Sequence, residues 1–326
     1  MKRFGETPTG QDGPAATRRD TPAPAKRFGL IGHPIAGSFS PQLFEAAYGG
    51  RYAYDLIEGA EFAASWQRFL DGYAGINITA PFKQDAFRAV DVLTDDARRC
   101  GAVNLAVKTP AGIVGYNTDV PGVLFAVREA LGTPLIPGST DVIPGLTSSV
   151  IPGSTDVIPG SPSSAIPGLT DVIPGLTRNL SDSAGCGAPA AGEPPLREAL
   201  VVGCGGAGRA AAVAAQRLGC RVTLANRTPA RAASLAAELG CAWVPIEALS
   251  TLAPDLVIYT VPGPMEGLPD FPEAVILEAN YKTPVLEGRG RTYISGLRWL
   301  LYQAVAGYEI FTGETPDVDA MFRIFC

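Results

Sequence analysis

The sequence predicts an α/β protein built from two α/β domains, and three observations carry that expectation. The chain has 326 residues, about twice an ordinary domain. Short apolar runs alternate along it with helical segments of ten to fifteen residues, the pattern of βαβ units. A glycine-rich turn, Gly203 to Gly208, directly follows one apolar run and directly opens an alanine-rich helix, as in dinucleotide-binding domains.

In the first half, apolar runs at 28–32, 52–57, 75–78 and 102–107 predict strands, separated by helices near 41–48, 60–70 and 81–90. A hairpin then precedes Asp119, followed by a helix over 122–131. In the second half, 199–202, 221–225, 256–261 and 274–278 predict strands, with helices at 207–218 and 229–239 between the first three. Helices near 296–308 and 318–325 close the chain. Such alternation predicts parallel sheets.

Two stretches break the pattern. Residues 1–26 are polar and rich in Pro and Gly, and read as a disordered tail. From Ile136, Ile151 and Ile166 the chain runs through three fifteen-residue copies, each with two Ile-Pro-Gly units. Proline removes a backbone donor and glycine raises the ordering cost, so neither a helix nor a central strand runs through such a repeat. Three stacked solenoid rungs are one alternative, but the residues after each Pro-Gly lack clean alternation. The segment at about 135–195 therefore reads as a low-complexity insert. It precedes the strand that ends at Gly203, on the side opposite the ligand-binding edge, where insertions do least harm.

Charge and cysteine usage exclude several classes. With 26 basic and 32 acidic residues and a net charge of −6, there is no basic stripe for a nucleic acid. The six cysteines form no C-x-x-C pair and a single histidine accompanies them, so no metal site is expected. Free thiols suit a reducing cytoplasm. No apolar run approaches the roughly 20 residues of a membrane span.

The turn Gly203-Cys204-Gly205-Gly206-Ala207-Gly208 has the G-x-G-x-x-G spacing in its required setting. Gly203 allows the tight turn, Gly205 the approach of a pyrophosphate, and Gly208 close helix packing; Gly206 and Ala207 open the helix whose N-terminus holds the anion. At the end of the next strand an NAD enzyme usually places an acidic residue. This chain has Asn226-Arg227-Thr228 instead. A guanidinium grips a 2′-phosphate that a carboxylate would repel, so NADP is the expected cofactor. Thr228 also stands where the N-cap of the helix opening at Pro229 belongs.

A carbonyl-reducing enzyme needs a proton donor at the forming alkoxide. The single His33, in Gly32-His33-Pro34, reads as a loop residue, which leaves lysines and tyrosines. Lys83 lies at a strand-to-helix junction, the usual edge for active-site groups; read alone it is equally a solvated first-turn charge. Asp119 is a second candidate, and read alone it is equally a helix cap.

Together these segments resemble the shikimate dehydrogenase family. The resemblance rests on Phe28 to Pro41 with both Ser38 and Ser40, on Asn77-Ile-Thr79-Ala-Pro-Phe-Lys83, on Gly101-Ala-Val-Asn104, on Asn117-Thr-Asp119, on Asn226-Arg-Thr228 and on Gly296-Leu-Arg-Trp-Leu-Leu-Tyr-Gln303. It covers about 27–131 and 196–321; the repeat has no counterpart.

The resemblance implies reversible NADPH-dependent reduction of 3-dehydroshikimate to shikimate, in chorismate and aromatic amino-acid biosynthesis, by a cytoplasmic monomer or homodimer. It implies that Ser38, Ser40, Thr79 and Tyr281 hold the substrate carboxylate, and that Lys83, Asn104, Asp119 and Gln303 hold the ring hydroxyls. Lys83 and Asp119 would be the catalytic pair, the lysine giving its proton and the aspartate orienting it. Thr260 and Gly296 would join the cofactor site. The substrate domain would comprise 27–119 and 300–326, and the NADP domain 120–299. The family's Asn-Ala-Thr-Pro-x-Gly-Met region is altered here to Tyr259-Thr-Val-Pro-Gly-Pro-Met265, Ala80 replaces a commoner leucine, and the run from Glu278 through Tyr281 to Pro284 is shortened. The alternatives are a quinate/shikimate dehydrogenase with broader substrate or NAD use, disfavoured by Asn226-Arg227-Thr228, and a silent nucleotide-binding module or redox sensor, disfavoured by Lys83 together with Asp119.

Overall fold

The computed structural model describes residues 26–132 and 196–326. Residues 1–25 of the expected tail, the Ile-Pro-Gly repeat with its insert, and Cys186 lie outside the described residues. The first sheet contains β1 (Arg27–Gly32), β2 (Ala53–Glu58), β3 (Gly75–Ile78), β4 (Val92–Leu93), β5 (Leu105–Thr109) and β6 (Gly112–Tyr116), in the order β2-β1-β3-β5-β6-β4. The second contains β7 (Glu198–Val202), β8 (Arg221–Ala225), β9 (Ala242–Val244), β10 (Leu256–Tyr259), β11 (Val275–Glu278) and β12 (Thr292–Ser295), in the order β12-β11-β10-β7-β8-β9. The helices are α1 (Ser40–Tyr48), α2 (Phe62–Gly72), α3 (Lys83–Ala89), α4 (Asp95–Cys100), α5 (Asp119–Ala130), α6 (Gly206–Arg217), α7 (Pro229–Leu239), α8 (Gly296–Thr312) and α9 (Val318–Phe322).

The second sheet is wholly parallel, as the alternation predicts. The first departs from it, because β5 runs antiparallel to both β3 and β6. The reason is local. Only Pro110 and Ala111 separate β5 from β6, and a two-residue connection joins antiparallel neighbours. The Thr109 hydroxyl fastens this hairpin, accepting from Ala111 N at 3.2 Å and donating to Gly112 O at 2.8 Å.

The predicted elements at 75–78, 221–225 and 229–239 coincide with β3, β8 and α7. Pro229 opens α7 and Gly240, at φ 64°, ends it in the left-handed conformation. Four elements escape the periodicity. β4 and β9 are two and three residues long, α4 (DDARRC) has no apolar stripe, and β12 is a four-residue edge strand. All are below the length at which a period shows. β5 starts at Leu105 rather than 102, because α4 ends at Gly101 in the left-handed conformation and residues 102–104 form the connection. The helix expected over 122–131 begins instead at Asp119, and the last helix splits into α9 and a 3-10 turn, Arg323–Phe325.

Strands buried on both faces need apolar residues on both, and β7 shows this clearly. Ala199 and Val201 join the core shared with α5, α6 and α8, whereas Leu200 and Val202 join a separate cluster with Val257, Tyr259 and Ile276 on the opposite face. The shared core also contains Phe28 and Leu105 of the first sheet, so α5 and α8 pack between the sheets. α8 reaches the first sheet through Phe311, stacked on Phe28 at 4.8 Å. No helix among the described residues is long and apolar enough to cross a membrane.

In both sheets the strand order reverses beside the first strand, between β1 and β3 and between β7 and β10. Crevices outside the carboxyl ends of strands at such switch points are where ligands settle in open α/β sheets. The two crevices are built from the residues that the motifs single out.

Candidate active site

At the first switch point a cavity of ≈ 490 Å3 opens beyond β1 and β3. The loop from β1 into α1 brings Ser38 and Ser40 to its wall. The end of β3 and the start of α3 bring Thr79 and Lys83, the segment before β5 brings Asn104, and α8 brings Gln303. Tyr281 completes the wall from the far side, on the turn after β11 of the second sheet. All the residues expected at the substrate thus line one cavity except Asp119, which meets it through Lys83.

The Lys83 ammonium donates to Asp119 Oδ2 at 2.7 Å. The pair is asymmetrically buried: the lysine side chain is 32% exposed and the aspartate 11%. The carboxylate is the buried anchor and the ammonium faces the cavity. Neither residue follows its local alternative. Thr118 occupies the N-cap position of α5, no side chain caps that helix, and the Asp119 carboxylate is turned to the lysine. Lys83 opens α3, where a cation meets the unfavourable end of the helix dipole, so helix preference does not account for it.

Asp119 is fixed from both sides. Its N–H donates to Asn117 Oδ1 at 3.2 Å, and its carbonyl accepts from Trp299 Nε1 at 3.0 Å. α8 comes this close because Gly122 faces it; a Cβ there would lie 2.8 Å from Trp299 Cδ1 and 3.0 Å from Gln303 Cβ. Asn104, buried at 4% exposure, accepts at Oδ1 from Thr118 N at 2.7 Å and from the Thr118 hydroxyl at 3.3 Å. Its acceptor is therefore occupied, and the amide Nδ2 is left to donate.

The serine hydroxyls are coupled, Ser38 Oγ donating to Ser40 Oγ at 3.0 Å and accepting from Ser40 N at 3.2 Å. Beneath them the Tyr308 hydroxyl donates to Ser40 O at 2.9 Å, and Tyr54 donates to Asn77 Oδ1 at 2.8 Å. Burial raises both tyrosine pKa values well above the ordinary range, so both stay neutral donors. Asn77 and Tyr308 line the cavity and sequence reasoning did not single them out. For Asn77 a signal existed: it is the polar residue in β3, Gly-Ile-Asn-Ile. For Tyr308, on an apolar helix face, there was none. His33 lies in the loop after β1, half-exposed, with Nδ1 3.5 Å from Glu58 Oε1.

The glycine loop occupies the second switch point. Gly203 adopts φ +103°, a conformation side chains avoid. Gly208 approaches it so closely that a Cβ would stand 1.9 Å from Gly203 O. Gly205 and Gly206 face open space, leaving room for a ligand at the start of α6 beside Ala207. Asn226 clamps the loop, accepting from Cys204 N at 3.3 Å and donating to Thr228 O at 3.0 Å. Arg227 and Thr228 are exposed. Thr228 occupies the N-cap position of α7, yet its hydroxyl makes no cap hydrogen bond; α7 starts on Pro229 instead.

Thr260 packs under the loop, its hydroxyl donating to Val202 O at 2.9 Å. Gly296 begins α8 against the end of β11, where a Cβ would lie 2.3 Å from Ala279 O. In the altered segment after β10, Tyr259 OH donates to Gly263 O at 2.7 Å. Among the described residues no group of three or more His, Cys, Asp and Glu side chains is placed to hold a metal ion. The open glycine cradle, the helix N-terminus and the exposed Arg227 and Thr228 fit a phosphorylated dinucleotide.

The family profile described as the shikimate dehydrogenase substrate binding domain matches residues 30–106, and that of the shikimate 5'-dehydrogenase C-terminal domain matches 296–321. A shikimate dehydrogenase (NADP(+)) of Acidiphilium cryptum is 34% identical over 322 residues, covering 92% of this chain and 95% of its own. One from Halobacterium salinarum is 33% identical over 319 residues, covering 90% and 96%. A crystal structure of shikimate 5-dehydrogenase from Thermus thermophilus, in complex with NADP(H) and shikimate, superposes with a TM-score of 0.66 at 25% identity, covering 91% of this chain and 97% of that one.

Proposed function

The chain belongs to the shikimate dehydrogenase family, and from that premise we propose that it catalyses the reversible NADPH-dependent reduction of 3-dehydroshikimate to shikimate, a step toward chorismate and the aromatic amino acids. The observation that carries this reading is the Lys83–Asp119 pair, 2.7 Å apart, with its ammonium turned into a cavity whose other polar lining groups are hydroxyls, amides and the ammonium of Lys282.

Gly203, Gly205, Gly206, Ala207 and Gly208 would hold the pyrophosphate of NADP against the start of α6, with Arg227 and Thr228 on the 2′-phosphate and Asn226 bracing both loops. Thr260 and Gly296 would shape the floor near the nicotinamide. When bound, NADPH supplies the hydride that adds to the ring carbonyl carbon. As the C=O π bond opens, negative charge gathers on oxygen, and the Lys83 ammonium stabilises it and passes it a proton. Asp119 keeps the ammonium aimed. In the reverse direction Lys83, as the neutral amine left by the forward step, accepts the hydroxyl proton as hydride leaves. Asn104 and Gln303 would hold the neighbouring hydroxyls, while Ser38, Ser40, Thr79 and Tyr281 would orient the carboxylate.

Under this reading 27–119 with 300–326 form the substrate domain and 120–299 the NADP domain, with both cuts falling inside shared helices, α5 and α8. The enzyme would work in the cytoplasm as a monomer or homodimer. Steady-state rates with NADP and NAD, each against shikimate and quinate, test the reading. It expects shikimate with NADP to be the fastest pair; an NAD preference or faster quinate turnover overturns it.

A further inference from the structure

The turn that brings Tyr281 to the cavity is pinned at both ends. Glu278, completely buried at the end of β11, accepts from Val285 N at 2.8 Å, from Leu286 N at 3.0 Å and from the Tyr293 hydroxyl at 3.1 Å. Within the turn, Asn280 Nδ2 donates to Thr283 O at 2.8 Å and to Thr283 Oγ1 at 2.9 Å. The residues between these anchors are Tyr281 and Lys282, and both line the cavity. The Tyr281 ring stands 6.5 Å from that of Phe39, the residue between Ser38 and Ser40, so the tip of the turn faces the serine loop.

The charge inventory of the cavity singles out the second of these residues. Two of its lining residues are lysines. Lys83 is committed to Asp119. Lys282 is exposed and has no hydrogen-bond or ion-pair partner among the described residues. The other polar lining groups, among them Ser38, Ser40, Thr79, Asn77, Asn104 and Gln303, are neutral. Neutral hydroxyls orient a carboxylate but leave its charge uncompensated, whereas an ammonium compensates it and strengthens each hydrogen bond around it.

We infer that Lys282 is a specificity-determining residue of this enzyme, pairing through its ammonium with the substrate carboxylate that Ser38 and Ser40 orient. The inference rests on the reading of the cavity as the shikimate site. It gives the carboxylate a grip from both sheets: hydroxyls come from the loop after β1, and the cation from the turn after β11. Selectivity for an acid over its uncharged analogue then resides largely in one side chain.

The test compares Lys282→Met, Lys282→Arg and the unaltered protein with NADP, using shikimate and shikimate methyl ester as substrates at two ionic strengths. Removing a charge-assisted contact of this kind weakens binding roughly ten-fold. Lys282→Met is expected to raise the KM for shikimate by about that factor, to change kcat and the NADP KM much less, and to leave kcat/KM for the methyl ester nearly unaltered. Lys282→Arg is expected to recover most of the loss, and added salt to raise the KM of the unaltered protein more than that of Lys282→Met. An unchanged shikimate KM in Lys282→Met, or an equal loss for acid and ester, overturns the assignment while the reading of the site stands. Absence of shikimate turnover by the unaltered protein overturns both.

Discussion

The indole N–H of Trp299 donates to the backbone carbonyl of Asp119 across 180 residues of sequence, at 3.0 Å. This bond ties α8 to the first residue of α5, and so sets where the carboxylate that holds Lys83 can stand. Trp299→Phe keeps most of the packing and removes the donor. The carbonyl keeps the helical bond that a residue opening an α-helix accepts, so the loss is that of one hydrogen bond, about 0.5–1.5 kcal/mol. Thermal unfolding is expected at lower temperature and kcat is expected to fall several-fold, with the NADP KM little changed. An unaltered kcat would show that the carbonyl needs no such anchor.

Cofactor choice is expected to depend on Arg227. It is exposed at the end of β8, beyond Asn226, which clamps the glycine loop. Arg227→Ala is expected to raise the NADP KM roughly ten- to a hundred-fold, the worth of a charge-assisted phosphate contact. The NAD KM is expected to move less than about two-fold, since NAD lacks the 2′-phosphate. Parallel losses with both cofactors would place Arg227 in the loop's architecture instead.

The contact between α4 and α6 has a pH dependence of its own. Asp96 is buried, and its carboxylate lies 2.7 Å from Arg217 Nη2 without an aligned hydrogen bond. Burial raises its pKa from 3.8 to about 7, opposed by Arg217 and Arg99 and assisted by Asp95. A raised acid pKa means that the folded state holds the proton longer than the unfolded state. The contribution to stability is therefore fully present below about pH 4 and is lost as pH rises to about 7. Asp96→Asn removes that titration. The melting temperature of the unaltered protein relative to Asp96→Asn is expected to fall across this window, and a flat difference would contradict the burial argument.

Legibility in the sequence followed how local each requirement is. The glycine loop could be read because each position has its own steric demand, and Gly203 and Gly208 meet theirs within six residues. α7 could be read because Pro229 and Gly240 mark its ends. The antiparallel setting of β5 could have been read from the two-residue link to β6, yet the βαβ rhythm on either side hid it. Lys83 and Asp119 are 36 residues apart, and each taken singly reads as a lone charge near a helix start; only the motifs around them suggest a pair. Asn77 is legible only as the polar residue of β3, because its partner, the Tyr54 hydroxyl, comes from the neighbouring part of the sheet. Glu278 was visible only as a charge ending an apolar run, because its partners, Val285, Leu286 and Tyr293, come from a loop and a strand that the sequence leaves unplaced.

Lys83 donates the proton in this reading and the cofactor binds without it, and Lys83→Ala separates the two roles when kcat and NADPH affinity are measured on the same preparation. In Lys83→Ala kcat is expected to fall by about two to four orders of magnitude, while the NADPH dissociation constant stays within about three-fold. A kcat within a few-fold of the unaltered protein, with NADPH still bound, would contradict the proton-donor role.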